Sequence, residues 1–209
     1  MNRFYLKEEG LTSEEAREIE RLLGDGALII YPTDTLYAIG CRALDDAAVT
    51  RLREAKGREA SKPLPVIAAD LLQARSLASR WPPEAQRLAD AFWPGPLTLV
   101  VPAAPTLPSS LLAGGSSVAV RVPASTVART LALLAGPIVA TSANASGERP
   151  CTTVDQAIAA FPAGLVAVDV GPLDGEPSTI VDLTSADGAF RILRPGRISR
   201  DLVHETLKA

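Results

Sequence analysis

Six short polar clusters carry the side chains of this sequence that could do chemistry: Tyr31-Pro-Thr-Asp-Thr35, Lys56-Gly-Arg58 with Ser61-Lys62, Ser117-Val-Ala-Val-Arg121, Thr141-Ser-Ala-Asn144-Ala-Ser-Gly147, Pro177-Ser-Thr179 and Leu193-Arg-Pro-Gly-Arg197. Guanidinium and ammonium groups neutralise phosphates, while hydroxyls and an Asn amide orient a small polar ligand. The set contains no nucleophile paired with a base. Its chemistry would be to hold reactants together and stabilise charge, as in phosphoryl and nucleotidyl transfer. The single histidine, His204, sits beside Glu205 near the C-terminus, where an exposed terminal helix explains it better than a general base does.

Taken singly, most clusters also have an ordinary reading. Lys56, Arg58 and Lys62 fit a solvated helix end favoured by the helix dipole. Thr33 and Thr35 fit hydroxyls that satisfy turn amides, and Ser142 and Asn144 an Asx-type turn ahead of Gly147. Arg121 is different, because it stands inside the apolar alternation Val118, Val120, Val122. A cation there requires a buried partner or a ligand. No Gly-x-x-x-x-Gly-Lys-Ser/Thr or Gly-x-Gly-x-x-Gly string occurs, so ATP, if bound, is held by another device.

The elements that must position these groups follow from periodicity. Thr12 with Glu15 reads as a capping box, and Ala16, Ile19, Leu22 and Leu23 recur at helical spacing until Gly24 and Gly26. The run Ala27-Leu-Ile-Ile-Tyr31, stopped by Pro32, reads as a strand buried on both faces that delivers Thr33, Asp34 and Thr35 at its end. Asp45 caps a helix through Val49, Leu52 and Ala55 that runs into Lys56. Strands are expected over 64–68, 97–101, 117–122 and 138–140, with helices over 71–78, 84–92 and 127–134. Thr153 and Gln156 cap a further helix to Phe161, and three late strands are expected over 165–170, 179–183 and 190–193. Residues 103–117, rich in Pro, Ser and Gly, read as a long mobile loop. Strand and helix alternate early and strands cluster late, which gives an α/β class with a mixed sheet.

Composition sets the outer limits. The chain has 209 residues, 47% of them hydrophobic, and its prolines and glycines are spread rather than pooled, so a single domain over 1–209 is expected. With 21 Lys+Arg against 24 Asp+Glu there is no general positive field for a phosphate backbone. Cys41 and Cys151 have no second Cys or His pair beside them, so no structural metal is expected. The N-terminus lacks a basic-then-apolar signal and no apolar run reaches bilayer-spanning length. A cytoplasmic protein without membrane contact, its thiols reduced, is the expectation.

At the same clusters the chain resembles the YrdC family, whose members are threonylcarbamoyl-AMP synthases. The stretches that carry the resemblance are YPTDTLYAIGC, KGREASKPL, FWPGPLTLV, SSVAVRVP, TSANASGERPCTTV, PSTIVDL and ILRPGRI. They run through nearly the whole chain, and Lys56/Arg58 with Ser142/Asn144 and the Trp-Pro-Gly-Pro-Leu-Thr string are specific in this order. The resemblance implies an α/β fold, a YrdC-like twisted open mixed sheet with flanking helices around a large basic cavity. It also implies that Lys56, Arg58, Ser142 and Asn144 are catalytic. Thr35, Arg121 and Ser178 would hold threonine, with Arg121 forking its carboxylate. Arg58, Lys62, Ser117, Ala140, Ser142 and Arg194 would hold ATP.

The implied reaction is that of L-threonine, bicarbonate and ATP to threonylcarbamoyl-AMP and pyrophosphate. It is the first step of N6-threonylcarbamoyladenosine formation in tRNA. Mg2+ would enter with ATP, bound through phosphate oxygens and water without a dedicated carboxylate cage, and no protein metal site is implied. A downstream threonylcarbamoyl transferase complex would take the product, so tRNA would be touched at most weakly. The alternative within the resemblance is an RNA-binding paralogue without synthase activity; the presence of Lys56, Arg58, Ser142 and Asn144 together favours the synthase.

Overall fold

The computed structural model of the chain describes residues 2–5, 11–57, 62–144, 151–161, 165–173 and 175–208. In chain order the elements are β1 (Asn2–Tyr5), α1 (Ser13–Gly24), β2 (Ile29–Pro32), β3 (Tyr37–Gly40), α2 (Asp46–Lys56), β4 (Val66–Ile67), α3 (Leu71–Ser76), α4 (Pro83–Phe92), β5 (Leu97–Pro102), α5 (Ser109–Leu112), β6 (Ser117–Arg121), α6 (Thr126–Ala135), β7 (Ile138–Val139), β8 (Thr141–Ser142), α7 (Val154–Ala159), β9 (Val166–Asp169), β10 (Thr179–Asp182), β11 (Arg191–Arg194) and α8 (Arg200–Lys208).

Local sequence explains most of these boundaries. In α1 the Thr12 hydroxyl accepts from the Glu15 amide and the Glu15 carboxylate accepts from the Thr12 amide, closing the capping box. The helix then buries Ile19 and Leu23. Asp45 caps α2 by accepting from the Ala48 amide at 2.9 Å, and Gly57 ends it in the left-handed conformation at φ 56°. Strand β2 is buried along its length: Ile29 and Tyr31 join one apolar cluster and Ile30 the other. That two-sided burial is why it reads as a continuous apolar run.

The described strands form two mixed sheets, of order β1-β9-β2-β3-β8 and β11-β10-β5-β6-β4-β7. The sequence gives no signal for this division; the chain crosses between the sheets from β3 to β4, from β9 to β10 and, through Ala140 alone, from β7 to β8. The sheets are stitched there: Val139 N–H donates to the Cys41 carbonyl at 2.9 Å and Ala140 N–H to that of Pro65 at 2.8 Å. Gly40 permits the crossing, because a Cβ at that position would collide with the Val139 carbonyl.

Three strands escape the sequence reading. β1 is an edge strand of four residues, β3 is the return arm of the β2–β3 hairpin, and β8 is only two residues long. Residues 103–117 are also more ordered in their contacts than their composition suggests. Leu107 and Leu111 are buried, and Leu64 N–H donates to the Leu111 carbonyl at 3.0 Å. No helix among the described residues is long and apolar enough to cross a membrane.

Candidate functional site

A cavity of about 510 Å³ opens between the two sheets. Strand alternation builds one wall. Along β6, Val118 and Val120 turn into the core while Ser117, Ala119 and Arg121 line the cavity. On β5, Leu97, Leu99 and Val101 are core and Thr98 and Val100 line it; on β10, Val181 is core and Ile180 and Asp182 line it. The registers Ile180↔Thr98 and Val100↔Ala119 put these side chains in rows on one face. The opposite wall comes from Thr33, Thr35, Tyr37, Ala38, Ala140, Thr141 and Ser142.

Arg121 is 7% exposed and is held at three points. Its Nε donates to the Gly95 carbonyl at 2.9 Å, Nη1 to the Thr35 hydroxyl at 3.2 Å and Nη2 to Asp34 Oδ1 at 2.7 Å. A guanidinium has five N–H donors, so one on each terminal nitrogen is left by these bonds. Burial pushes the pKa of Arg121 down, Asp34 opposes that shift, and the net value stays below the ordinary one. The buried partner that its place in an apolar strand demands is therefore Asp34.

The turn before β3 is tied by Thr33. Its hydroxyl accepts from the amides of Thr35 and Leu36, each at 3.1 Å, and donates to the Leu36 carbonyl at 2.7 Å. Turn chemistry accounts for Thr33. The Thr35 hydroxyl lies 2.9 Å from that of Thr33 and accepts from Arg121, so its oxygen is placed on the cavity wall by both.

At the other end, Ser178 is buried and its hydroxyl lies 2.9 Å from that of Thr98. Arg194 donates from Nη2 to the Ser178 hydroxyl at 3.0 Å and from Nε and Nη2 to its carbonyl at 3.1 and 2.8 Å. Burial and then the like charge of Arg121 hold the pKa of Arg194 below its ordinary value. Two cations that disfavour each other across a cavity make a place for an anion. Asp182 is the described carboxylate on the wall. Burial pushes its pKa up, but the Thr184 hydroxyl and amide and Arg191 outweigh that and keep it ionised below the usual carboxylate range.

Thr35, Lys62, Ser117, Arg121, Ala140, Ser142, Ser178 and Arg194, all expected site residues, thus meet on one cavity. Lys56 and Asn144 do not line it. Lys56, at the end of α2, is buried, and its ammonium donates to the carbonyls of Ser142 and Asn144 at 2.6 and 2.7 Å, 5.7 Å above the ring of Phe161. It stands behind Ser142 and grips the backbone of that strand. Arg58 lies outside the described residues.

Asp34, Thr98, Asp182 and Thr184 belong to the site or its support and were not singled out as ligand residues by the sequence. The signal for Thr98 is present in the sequence: it is the one polar residue of the otherwise apolar strand β5, on the face opposite Leu97 and Leu99.

Against known proteins, a family model described as "Telomere recombination", Sua5/YciO/YrdC, matches residues 21–196. The chain is 46% identical over 125 residues to the threonylcarbamoyl-AMP synthase of Pyrococcus abyssi (strain GE5 / Orsay), which covers 59% of this chain and 37% of that one. It is 40% identical over 184 residues to the putative threonylcarbamoyl-AMP synthase of Mycobacterium tuberculosis (strain ATCC 25618 / H37Rv), covering 87% of this chain and 84% of that one. The crystal structure of P. abyssi Sua5 complexed with L-threonine superposes with a TM-score of 0.92 at 36% identity, over 99% of this chain and 61% of that one. The matched stretches cover between about a third and just over half of the length of the curated relatives from P. abyssi and Bacillus subtilis, and the superposition 61% of the P. abyssi structure. Fold and sequence agree over the same residues, and the chain belongs to the Sua5/YciO/YrdC family.

Proposed function

We propose that this protein is an L-threonylcarbamoyladenylate synthase, joining L-threonine, bicarbonate and ATP into threonylcarbamoyl-AMP with release of pyrophosphate. The observation that carries the reading is Arg121: a buried guanidinium, fixed at three points on a cavity wall, with one N–H left on each terminal nitrogen. That is the chemistry of carboxylate capture. The relative from P. abyssi whose structure holds L-threonine supports it. Thr35 and Ser178 would hold the rest of the amino acid, and Lys62, Ser117, Ala140, Ser142 and Arg194 the nucleotide, with Arg58 completing the phosphate site.

In this reading the amine of threonine takes up bicarbonate with loss of water, and a carbamate oxygen attacks the α-phosphorus. The bond to the β-phosphate oxygen breaks and pyrophosphate leaves. The protein's share is to hold the carbamate in line with that bond and to neutralise the charge on the phosphates. Lys56 would act by fixing the Ser142–Asn144 backbone. Mg2+ would arrive on ATP, since the described wall offers it one carboxylate, Asp182, already bonded to Thr184 and Arg191. The product is the activated group for the first step of N6-threonylcarbamoyladenosine formation, handed on in the cytoplasm to a transferase complex.

The test is pyrophosphate release from ATP and magnesium by the purified protein. It should require both L-threonine and bicarbonate, with threonylcarbamoyl-AMP detected by mass spectrometry. Release of equal size in carbonate-depleted buffer would remove the mechanism. An RNA-binding protein of the same family would show no such release, and would bind RNA with or without threonine present.

A further inference from the structure

Asp34 lies next to the site without lining it. Its side chain is 17% exposed, and among the described residues its carboxylate bonds to Arg121 alone, at 2.7 Å. The turn that carries it does not depend on that carboxylate, because Thr33 makes the turn's hydrogen bonds. Asp34 is thus dispensable to its own loop and specific to one guanidinium. Arg121 has three anchors, each on a different nitrogen: a carbonyl before β5, a hydroxyl and a carboxylate. Together they fix both the plane and the rotation of a side chain that otherwise has several rotatable bonds to order on binding.

We propose that Asp34 is the positioning residue for amino-acid binding: it acts through Arg121, holding Nη2 so that the two remaining N–H groups stand ready for the carboxylate of an α-amino acid. Asp34 touches no ligand. Its effect is to preorganise the fork, which strengthens binding by removing an ordering cost. The inference rests on the synthase reading, but it concerns the amino-acid end of the cavity only, so ATP should not sense it.

Two variants and two ligands test this. In Asp34→Ala the Nη2 anchor is gone, and L-threonine affinity by calorimetry should fall roughly 10-fold or more, with KM for threonine rising in parallel. KM for ATP should stay within about 2-fold. Asp34→Asn keeps an acceptor oxygen at the same place and should recover threonine affinity to within about 3-fold of wild type. L-Threoninamide, which lacks the carboxylate, should bind wild type and Asp34→Ala alike. If Asp34→Ala does not fold, Asp34→Glu, which moves the carboxylate by one methylene, replaces it with the same expected rise. Unchanged threonine affinity in the folded variant, or an equal loss for ATP and threoninamide, would overturn the assignment. Wild type that binds no L-threonine would instead overturn the synthase reading itself, before any variant is made.

Discussion

The ammonium of Lys56 lies 2.6 Å from the carbonyl of Ser142 and 2.7 Å from that of Asn144, so the end of α2 is pinned to the strand that carries the Ser-x-Asn pair. The sequence places these residues 86 and 88 apart. Removing the ammonium leaves two inward-turned carbonyls without that donor. Lys56→Ala should therefore lower unfolding stability by about 3 kcal/mol, as loss of one partner of a buried charged group does. It should also nearly abolish pyrophosphate release. Urea denaturation and turnover measured on the same variant check both. A variant of full stability with turnover lost would put Lys56 on the phosphates instead.

Cys41 is buried, and burial pushes its thiol up to about 12, with the nearby Asp45 carboxylate adding to the shift. The thiolate is the reactive form, so neutral-pH alkylation should fail in the folded protein. Cys151 is buried as well. Iodoacetamide should label both only in denaturant, as mass spectrometry would show, and native treatment should leave turnover intact.

How much of this is legible in the sequence depends on the range of the interaction. Caps at Thr12, Asp45 and Thr153 are local and read directly, as does the two-sided burial of β2. The need of Arg121 for a partner is legible from its place among Val118, Val120 and Val122, but that Asp34 supplies it is not, because they are 87 residues apart. The grip of Lys56 is hidden for the same reason, since a lysine ending a helix fits a solvated cap equally well. The split into two sheets is hidden because the chain changes sheet three times, between β3 and β4, β7 and β8, and β9 and β10, once through the single residue Ala140. Strands as short as these leave no period to detect.

Arg3 joins β1 to both α7 and β9, donating to Asp155 and Asp169 at 2.7 Å each. Burial of Asp169 pushes its pKa up, but Arg3, the Gly171 amide and Tyr37 together carry it below the ordinary carboxylate value. A depressed folded pKa contributes stability that is complete above the unfolded value of about 4 and is lost as pH falls through the folded one. Asp169→Asn should thus be less stable than wild type at pH 7, and the gap should close toward pH 3. Urea midpoints across that range decide it, and a gap independent of pH would mean the carboxylate contributes no charge.

Gly40 faces the Val139 carbonyl where the two sheets cross, and a Cβ would meet backbone that cannot move aside cheaply. Gly40→Ala should destabilise the fold by about 2 kcal/mol, within the usual range for overpacking. Gly57→Ala should cost less, since only its φ of 56° opposes a side chain and open space surrounds it. Thermal melts of the two variants should rank them in that order.

Arg121→Lys separates charge from geometry. Lysine keeps the positive charge, but one ammonium cannot reach the Gly95 carbonyl, the Thr35 hydroxyl and Asp34 and still present two parallel donors to a carboxylate. Threonine affinity should fall roughly 10- to 100-fold, since charge-assisted hydrogen bonds are among the stronger ones. ATP affinity should change less, because the groups proposed for it, Lys62, Ser117, Ser142 and Arg194, stand elsewhere on the wall. Calorimetry with each ligand and a melting curve for the folded variant check this. Unaltered threonine binding by folded Arg121→Lys would remove Arg121 from the site and leave the cavity without its carboxylate anchor.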